Sequence, residues 1–192
     1  MRNIAILTFI TLDGVMQAPS KPDEDRSGNF ERGGWATPYW NGVMEQVQKE
    51  AMSEPYDMLF GRKTYDLFAG HWPDAAGDPV ADMMNAASKY VVTSRPDSLS
   101  WKHSHAISGD IARKISDLKL EDGPILQIHG SWELIQFLLA HDLIDEFRLW
   151  TFPVVAGSGK RLFEKPAKPE TLKLAKSEPC ANGVVMSIYR RG

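Results

Sequence analysis

Three short polar stretches in this chain carry residue types that can hold a phosphate-bearing ligand: Gly61-Arg62-Lys63-Thr64, Ser94-Arg95 and Gly130-Ser131-Trp132. Each follows directly on an apolar run that reads as a buried strand. A strand that turns through glycine into a helix leaves several backbone N–H groups unpaired and aimed at one point, and the helix end adds partial positive charge. The arginines add forked guanidinium groups, which grip a phosphate bidentately where a lysine offers only a point charge. The stretch from Ile125 to Leu139 shows the pattern most sharply. Ile125, Leu126 and Ile128 stop at His129-Gly130-Ser131, and Leu134, Ile135, Leu138 and Leu139 follow on the spacing of one helical face. Taken singly, a Gly-Arg at a helix start is as often a capping device, and Ser-Arg-Pro is an ordinary turn. Their shared place after strands points to a ligand, because open α/β sheets collect ligands at the carboxyl ends of their strands. Glu133 runs against the pattern, since a carboxylate in the first helical turn repels phosphate unless it points away.

Asp13 is the candidate acid. It stands in Leu12-Asp13-Gly14 at the end of the first apolar run, where partial burial would raise its pKa and fit it to manage the protons of a polar heterocycle. The same residues also make an ordinary Asp-Gly turn. Trp35, Trp40 and Trp132 could stack on a flat ring or pack in the core. His103 and His105 would share one side of a short strand, but without a nearby Cys or carboxylate they make a poor metal site, and no metal is expected. His129 could orient backbone or ligand, or be a satisfied core histidine. No G-x-G-x-x-G motif is present. Ala156–Arg161 looks like half a P-loop, with Val154 in place of the first glycine and Arg161 in place of the Ser/Thr, which excludes an ATPase of that kind.

These groups need a frame, and the periodicity supplies one. Ile4–Ile10, Asp57–Phe60, Lys89–Ser94 and Ile125–Ile128 read as buried strands, and helical patterns intervene after Thr37, Gly61, Asp78 and either Ser108 or Asp110. Leu143–Phe152, Thr171–Ser177 and Val184–Tyr189 alternate on a period of two, and Asn182-Gly183 is a strong hairpin signal. Strand–helix alternation closing on a hairpin predicts an α/β fold with a mostly parallel sheet and an antiparallel C-terminal edge. The polar segment Ala18–Thr37 has no periodicity, and a loop of that length inside a domain reads as a lid or binding loop.

Composition sets the outer limits. The 192 residues predict one domain, 1–192, with a sizeable core. A net charge of −3 gives no basic field, so nucleic acid is not an expected partner. The lone Cys180 excludes an intrachain disulfide. The N-terminus reads as a strand rather than a signal peptide, and no apolar run reaches the ~20 residues of a membrane helix, so the expectation is a cytoplasmic protein with no membrane partner.

Thr11-Leu12-Asp13-Gly14, Leu59-Phe60-Gly61-Arg62-Lys63-Thr64-Tyr65, Val91-Val92-Thr93-Ser94, His129-Gly130-Ser131, Leu143-Ile144-Asp145-Glu146 and Pro153–Phe163 occur in that order. Together they resemble the dihydrofolate reductase superfamily, and within it small stand-alone proteins similar to the reductase domain of bacterial riboflavin biosynthesis. The resemblance covers essentially the whole chain. It implies a dihydrofolate reductase-like three-layer fold with a central sheet of about eight strands and NADPH lying across the strand ends. By position, Gly61, Arg62, Lys63 and Thr64 would hold the adenosine phosphates, Ser94 and Arg95 would sit near the 2′-phosphate, and Gly130, Ser131 and Trp132 would approach the pyrophosphate and nicotinamide. Asp13, Trp35 and Trp40 would meet the substrate. The activity implied is hydride transfer from NADPH to a small heterocycle, either a pterin, a folate-like compound or a 5-amino-6-(5-phosphoribosylamino)uracil-like compound. The rival reading is a nucleotide or small-molecule binding protein without turnover. A homodimer, formed through the strands beyond Leu143, is the oligomeric state the resemblance implies.

Overall fold

The apolar runs become strands and the amphipathic stretches between them become helices. The computed structural model describes residues 1–75, 77–164 and 169–192. Along the chain lie β1 (Ile4–Thr11), α1 (Met44–Ala51), β2 (Tyr56–Gly61), α2 (Arg62–Ala69), α3 (Pro79–Ala86), β3 (Lys89–Val92), β4 (Ser104–Ile107), α4 (Ile111–Leu120), β5 (Ile125–Ile128), α5 (Trp132–Ala140), β6 (Glu146–Phe152), β7 (Leu172–Pro179) and β8 (Val185–Arg191). The strands form an eight-stranded sheet in the order β4-β3-β2-β5-β1-β6-β8-β7. Its first five strands pair in parallel, and β8 pairs antiparallel with β6 and β7. This is the mostly parallel sheet with an antiparallel C-terminal edge that the periodicity predicts.

Two compact units share this chain: Met1–Ile6 with Ala51–Asp145, and Leu7–Glu50 with Glu146–Gly192. In the first, β2, β3, β4 and β5 run parallel, so their carboxyl ends share one edge. Met58, Leu59, Phe60, Val91, Leu126 and Ile128 are buried on these strands, as near-continuous apolar runs require of strands covered on both faces. Asp78 and Asp110 cap α3 and α4 by accepting hydrogen bonds from the Val80 and Arg113 amides. Lys89 opens β3 fully buried. Its ammonium lies 4.4 Å from the Trp101 ring centroid and donates to the Asn85 and Lys102 carbonyls.

The β2–α2 and β5–α5 junctions explain each other. A Cβ on Gly61 would lie 2.1 Å from Ser131 Oγ, and one on Gly130 would lie 3.0 Å from Thr64 Oγ1. The two strand ends therefore pack through glycine on one side and a small hydroxyl on the other. Gly61→Ala alone should cost about 1–3 kcal/mol by overpacking, and adding Ser131→Gly should restore most of it. Urea unfolding of the two single variants and the double variant checks this, and additive losses would contradict the packing.

The second unit holds the first loop and the antiparallel strands. Thr37–Gly42 forms a 3₁₀ turn and only Met44–Ala51 is α-helical, whereas the sequence predicts one helix from Thr37. Asn41-Gly42 is a poor helix pair, and Val43 adopts non-helical angles (φ −123°). The loop of residues 18–37 is held along its length. Trp35 Nε1 donates to the Gln17 carbonyl at 2.8 Å, and the Gly34 and Ala36 amides donate to the Ala18 and Pro19 carbonyls. Lys160 pairs with Asp25 at 2.7 Å, and Phe30 is buried. Gln17 donates to the Asp25 and Ser27 carbonyls while its oxygen accepts the Lys160 amide. The loop is thus tied down by hydrogen bonds and an ion pair, with residues 21–24 exposed.

Candidate functional site

A cleft of about 550 Å³ opens at the carboxyl ends of β2, β3, β4 and β5 in the first unit. That volume falls within the roughly 300–1,000 Å³ of small-molecule sites. Gly61, Arg62, Lys63, Ser94, Arg95 and Ser131 line it, so residues from all three predicted stretches come together. Thr64, Gly130 and Trp132 are not among the lining residues; Thr64 and Gly130 face each other at the junction beneath. α2 and α5 both start at this cleft, and neither has a side-chain cap on its first amides. Two uncapped helix starts opening on one cleft suit an anion.

The arginines divide the work unequally. Arg62 Nε donates to both Asp66 carboxylate oxygens at 2.8 and 2.9 Å, and its Nη1 donates to Ser98 Oγ at 2.6 Å. Further contacts reach the Arg95 and Ser98 carbonyls at 3.4 Å. The Nε–H of Arg62 is thus shared between the two Asp66 oxygens and its terminal nitrogens go to Arg95 and Ser98, so Arg62 braces the segment that carries Ser94 and Arg95. Arg95 itself is exposed and lines the cleft, with its amide donating to Thr93 Oγ1 at 3.0 Å. Glu133 also lines the cleft, but it lies 4.0 Å from Lys63, and both side chains are largely exposed. The lysine offsets part of the repulsion that Glu133 presents to an anion.

Sequence reasoning missed five further lining residues. Ser108, Gly109, Ile111, Leu134 and Phe137 line the cleft as well. The signal was available, because Ile107-Ser108-Gly109-Asp110-Ile111 repeats the strand–glycine–helix pattern a further time. With Val92, the apolar residues Ile111, Leu134 and Phe137 give the cleft a surface that could take a flat ring.

In the second unit Asp13 departs from expectation. Its carboxylate accepts the Ala156 and Gly157 amides at 3.0 and 2.8 Å and the Thr11 hydroxyl at 2.6 Å. Arg161 adds an ion pair at 3.4 Å and donates from Nε to the Asp13 carbonyl. Burial pushes this carboxyl up, but the Thr11 hydroxyl and the two amides outweigh it and hold the pKa at about 2. The expected rise is therefore corrected: at neutral pH Asp13 is an ionised clamp on the loop after β6, with no proton to give. The same holds for Asp25, where burial is outweighed by the Lys160 hydrogen bond and the pKa is about 2. Both carboxyls stay ionised in the folded chain where an unfolded aspartate takes up a proton. They contribute stability above about pH 4, and it is lost as pH falls towards 2. Asp13→Asn should cost about 1–2 kcal/mol at pH 7 and flatten the acid limb of urea-midpoint against pH. An unchanged limb would show that the clamp contributes nothing.

Trp35 is buried, with its ring 5.4 Å from that of Phe152, and serves as core. Trp40 is half-buried and meets Phe9 edge-on at 5.8 Å, so part of its ring stays accessible. His103 and His105 do not share a strand face. His103 precedes β4 with φ 59°, and His105 stacks on Tyr90. Among the described residues no three His, Cys, Asp or Glu side chains gather as metal ligands, and no helix is long and apolar enough to cross a membrane.

Comparison with known proteins adds an independent line. The family model described as the RibD C-terminal domain matches residues 2–186. The uncharacterized protein YyaP of Bacillus subtilis (strain 168) is 29% identical over 137 residues, which is 69% of this chain and 72% of that protein. YwjB of the same organism, also uncharacterized, is 33% identical over 101 residues, 53% of this chain and 58% of its own. Among solved structures, a putative riboflavin biosynthesis protein from Shewanella sp. PV-4 superposes with a TM-score of 0.63 at 22% identity, over 100% of this chain and 99% of that one. Dihydrofolate reductase from Enterococcus faecalis, complexed with NADP(H) and RAB-propyl, superposes with a TM-score of 0.60 at 13% identity, over 99% and 96%. At these identities the likeness is one of fold.

Proposed function

Since the chain belongs to the RibD C-terminal domain family, we propose that it is a reductase that draws hydride from NADPH and delivers it to a small flat heterocycle. The observation that carries this reading is the cleft itself, which two uncapped helix starts and the residues Ser94, Arg95 and Ser131 line together. The cofactor supplies the hydride; the chain binds and orients it. Ser131 and the α5 start would take the pyrophosphate, Gly61 and Lys63 the neighbouring phosphate oxygens, and Ser94 with Arg95 the 2′-phosphate. Ile111, Leu134 and Phe137 would hold the base. On the second unit, Trp40 is half-buried, and Asp13 and Trp35 would act by holding the surrounding loops. Copies of the chain would pair through the strands beyond Leu143, where β7 is an edge strand with Leu174 exposed; light scattering tests that.

The test of turnover is NADPH oxidation, followed by absorbance, across pterins, deaminated pyrimidines and quinones. Consumption that depends on both protein and acceptor supports the reductase. A second reading, binding without turnover, is favoured by one observation: the low pKa of Asp13 removes the obvious acid. Tight NADPH binding with no oxidation by any acceptor would select it.

A further inference from the structure

Helix starts attract phosphates of every kind, so a cleft built on them needs a further element to choose among ligands. We propose that Glu133 is that element: its carboxylate admits a phosphodiester, as in the pyrophosphate of a dinucleotide, and disfavours a terminal phosphate monoester. This rests on the reductase reading above and names the ligand class that the cofactor site turns away. Among the described residues that line the cleft, the charged ones are Arg62, Lys63, Arg95 and Glu133, so one carboxylate stands among three cations. Glu133 belongs to the first turn of α5, whose first amides have no side-chain cap. Lys63 belongs to the first turn of α2, and its ammonium lies 4.0 Å from the Glu133 carboxylate. The other two cations have other places. Arg62 donates to Asp66 and Ser98, and Arg95 follows β3, which β2 separates from β5.

The side-chain charges at the α5 start therefore balance. Glu133 offsets Lys63, and what remains is the helix end, equivalent to about half a positive charge. A bridging phosphodiester carries one negative charge, which the free amides of the helix start can meet. A terminal monoester carries about 1.5–2 negative charges at pH 7, and the added charge meets the repulsion of Glu133. Both side chains of the pair are largely exposed, so water and salt keep this repulsion modest. It suits discrimination between ligands and leaves the cleft open to the favoured one. The 2′-phosphate of NADPH is also a monoester, but it belongs at Ser94 and Arg95. Two strand spacings separate the ends of β3 and β5, about 9–10 Å, which exceeds the Debye length of about 8 Å at physiological salt. Mononucleotides such as ADP share the adenosine end of NADPH, and Glu133 keeps them from competing for it.

ADP and ADP-ribose make a matched pair of probes, because the second is the first with its terminal phosphate capped as an ester. Calorimetric titration of the full chain at low ionic strength should show ADP-ribose binding more tightly than ADP. Glu133→Gln should close that gap by about two- to fivefold, chiefly by strengthening ADP, which is the size an exposed charge pair supports. Lys63→Gln should widen it. Asp117→Asn makes the same change in net charge on α4, where Asp117 pairs with Arg113 outside the lining residues, and it should leave the gap as in the wild type. At 1 M salt, where the Debye length is about 3 Å, wild type and Glu133→Gln should no longer differ. A gap that is equal in wild type and Glu133→Gln at low salt, or that Asp117→Asn closes as far, overturns the proposal. If the wild type binds neither ADP-ribose nor NADPH, the cofactor reading fails and this one with it, whereas nucleotide binding with an unmoved gap overturns this one alone.

Discussion

Gly130→Ala is expected to be the most damaging single substitution in the first unit, at about 3 kcal/mol or more. Gly130 has φ +145°, a region that side chains with a Cβ scarcely enter. A Cβ there would also press on Thr64 Oγ1 at 3.0 Å, so the backbone and the neighbouring junction object together. Gly157 is the internal control. It too has positive φ, +79°, but a Cβ there meets nothing within 4 Å, so alanine should cost only about 1 kcal/mol. Urea midpoints measure both. Because Gly130 sits where β5 turns into α5, the damaged protein should also lose affinity for nucleotide. A Gly130→Ala protein as stable as Gly157→Ala would show that the junction tolerates a side chain.

The second large effect is on binding, and it separates the two arginines. Arg62→Ala removes the ties to Asp66 and Ser98 that hold residues 93–98 against α2. Charge-assisted hydrogen bonds of this kind are worth about 1.5–3 kcal/mol, and 1.4 kcal/mol is tenfold in affinity. NADPH and NADH should therefore weaken together, by roughly 10–100-fold, because the whole segment loses its position. Arg95→Ala removes only the exposed guanidinium, so it should weaken NADPH about tenfold and leave NADH nearly unchanged. Arg191, in the second unit, is 2.7 Å from Glu170, and Arg191→Ala should change neither. Equal losses in all three variants would misplace the cleft.

Much of the frame was legible because it rests on local rules. Continuous apolar runs gave four of the five parallel strands but not the polar β4, Asp78 announced its helix, Asp110 was one of two starts offered for α4, and Asn182-Gly183 announced the hairpin that Gly183 closes with φ 88°. The cleft was legible in outline from strand–glycine–helix junctions. What could not be read was which neighbour each polar group would meet. Arg62 has the right type and place to grip a phosphate; Asp66, four residues on in α2, was a competitor readable from the spacing, but only the fold brings Ser98 to its guanidinium. Asp13 has the right place for an acid, but the amides that lower its pKa come from Ala156 and Gly157, far along the chain. Gly61 and Gly130 read as openings for a ligand, yet much of their necessity lies in the hydroxyls of Ser131 and Thr64. Long-range partners of this sort leave no local pattern.

The most direct measurement of the central claim is calorimetric titration of the wild type and Arg95→Ala with NADPH and NADH at physiological salt. The account predicts sub-millimolar NADPH binding, tighter than NADH, with most of that preference lost in Arg95→Ala. Failure of the wild type to bind either nucleotide, or a preference for NADPH that survives in Arg95→Ala, would contradict it.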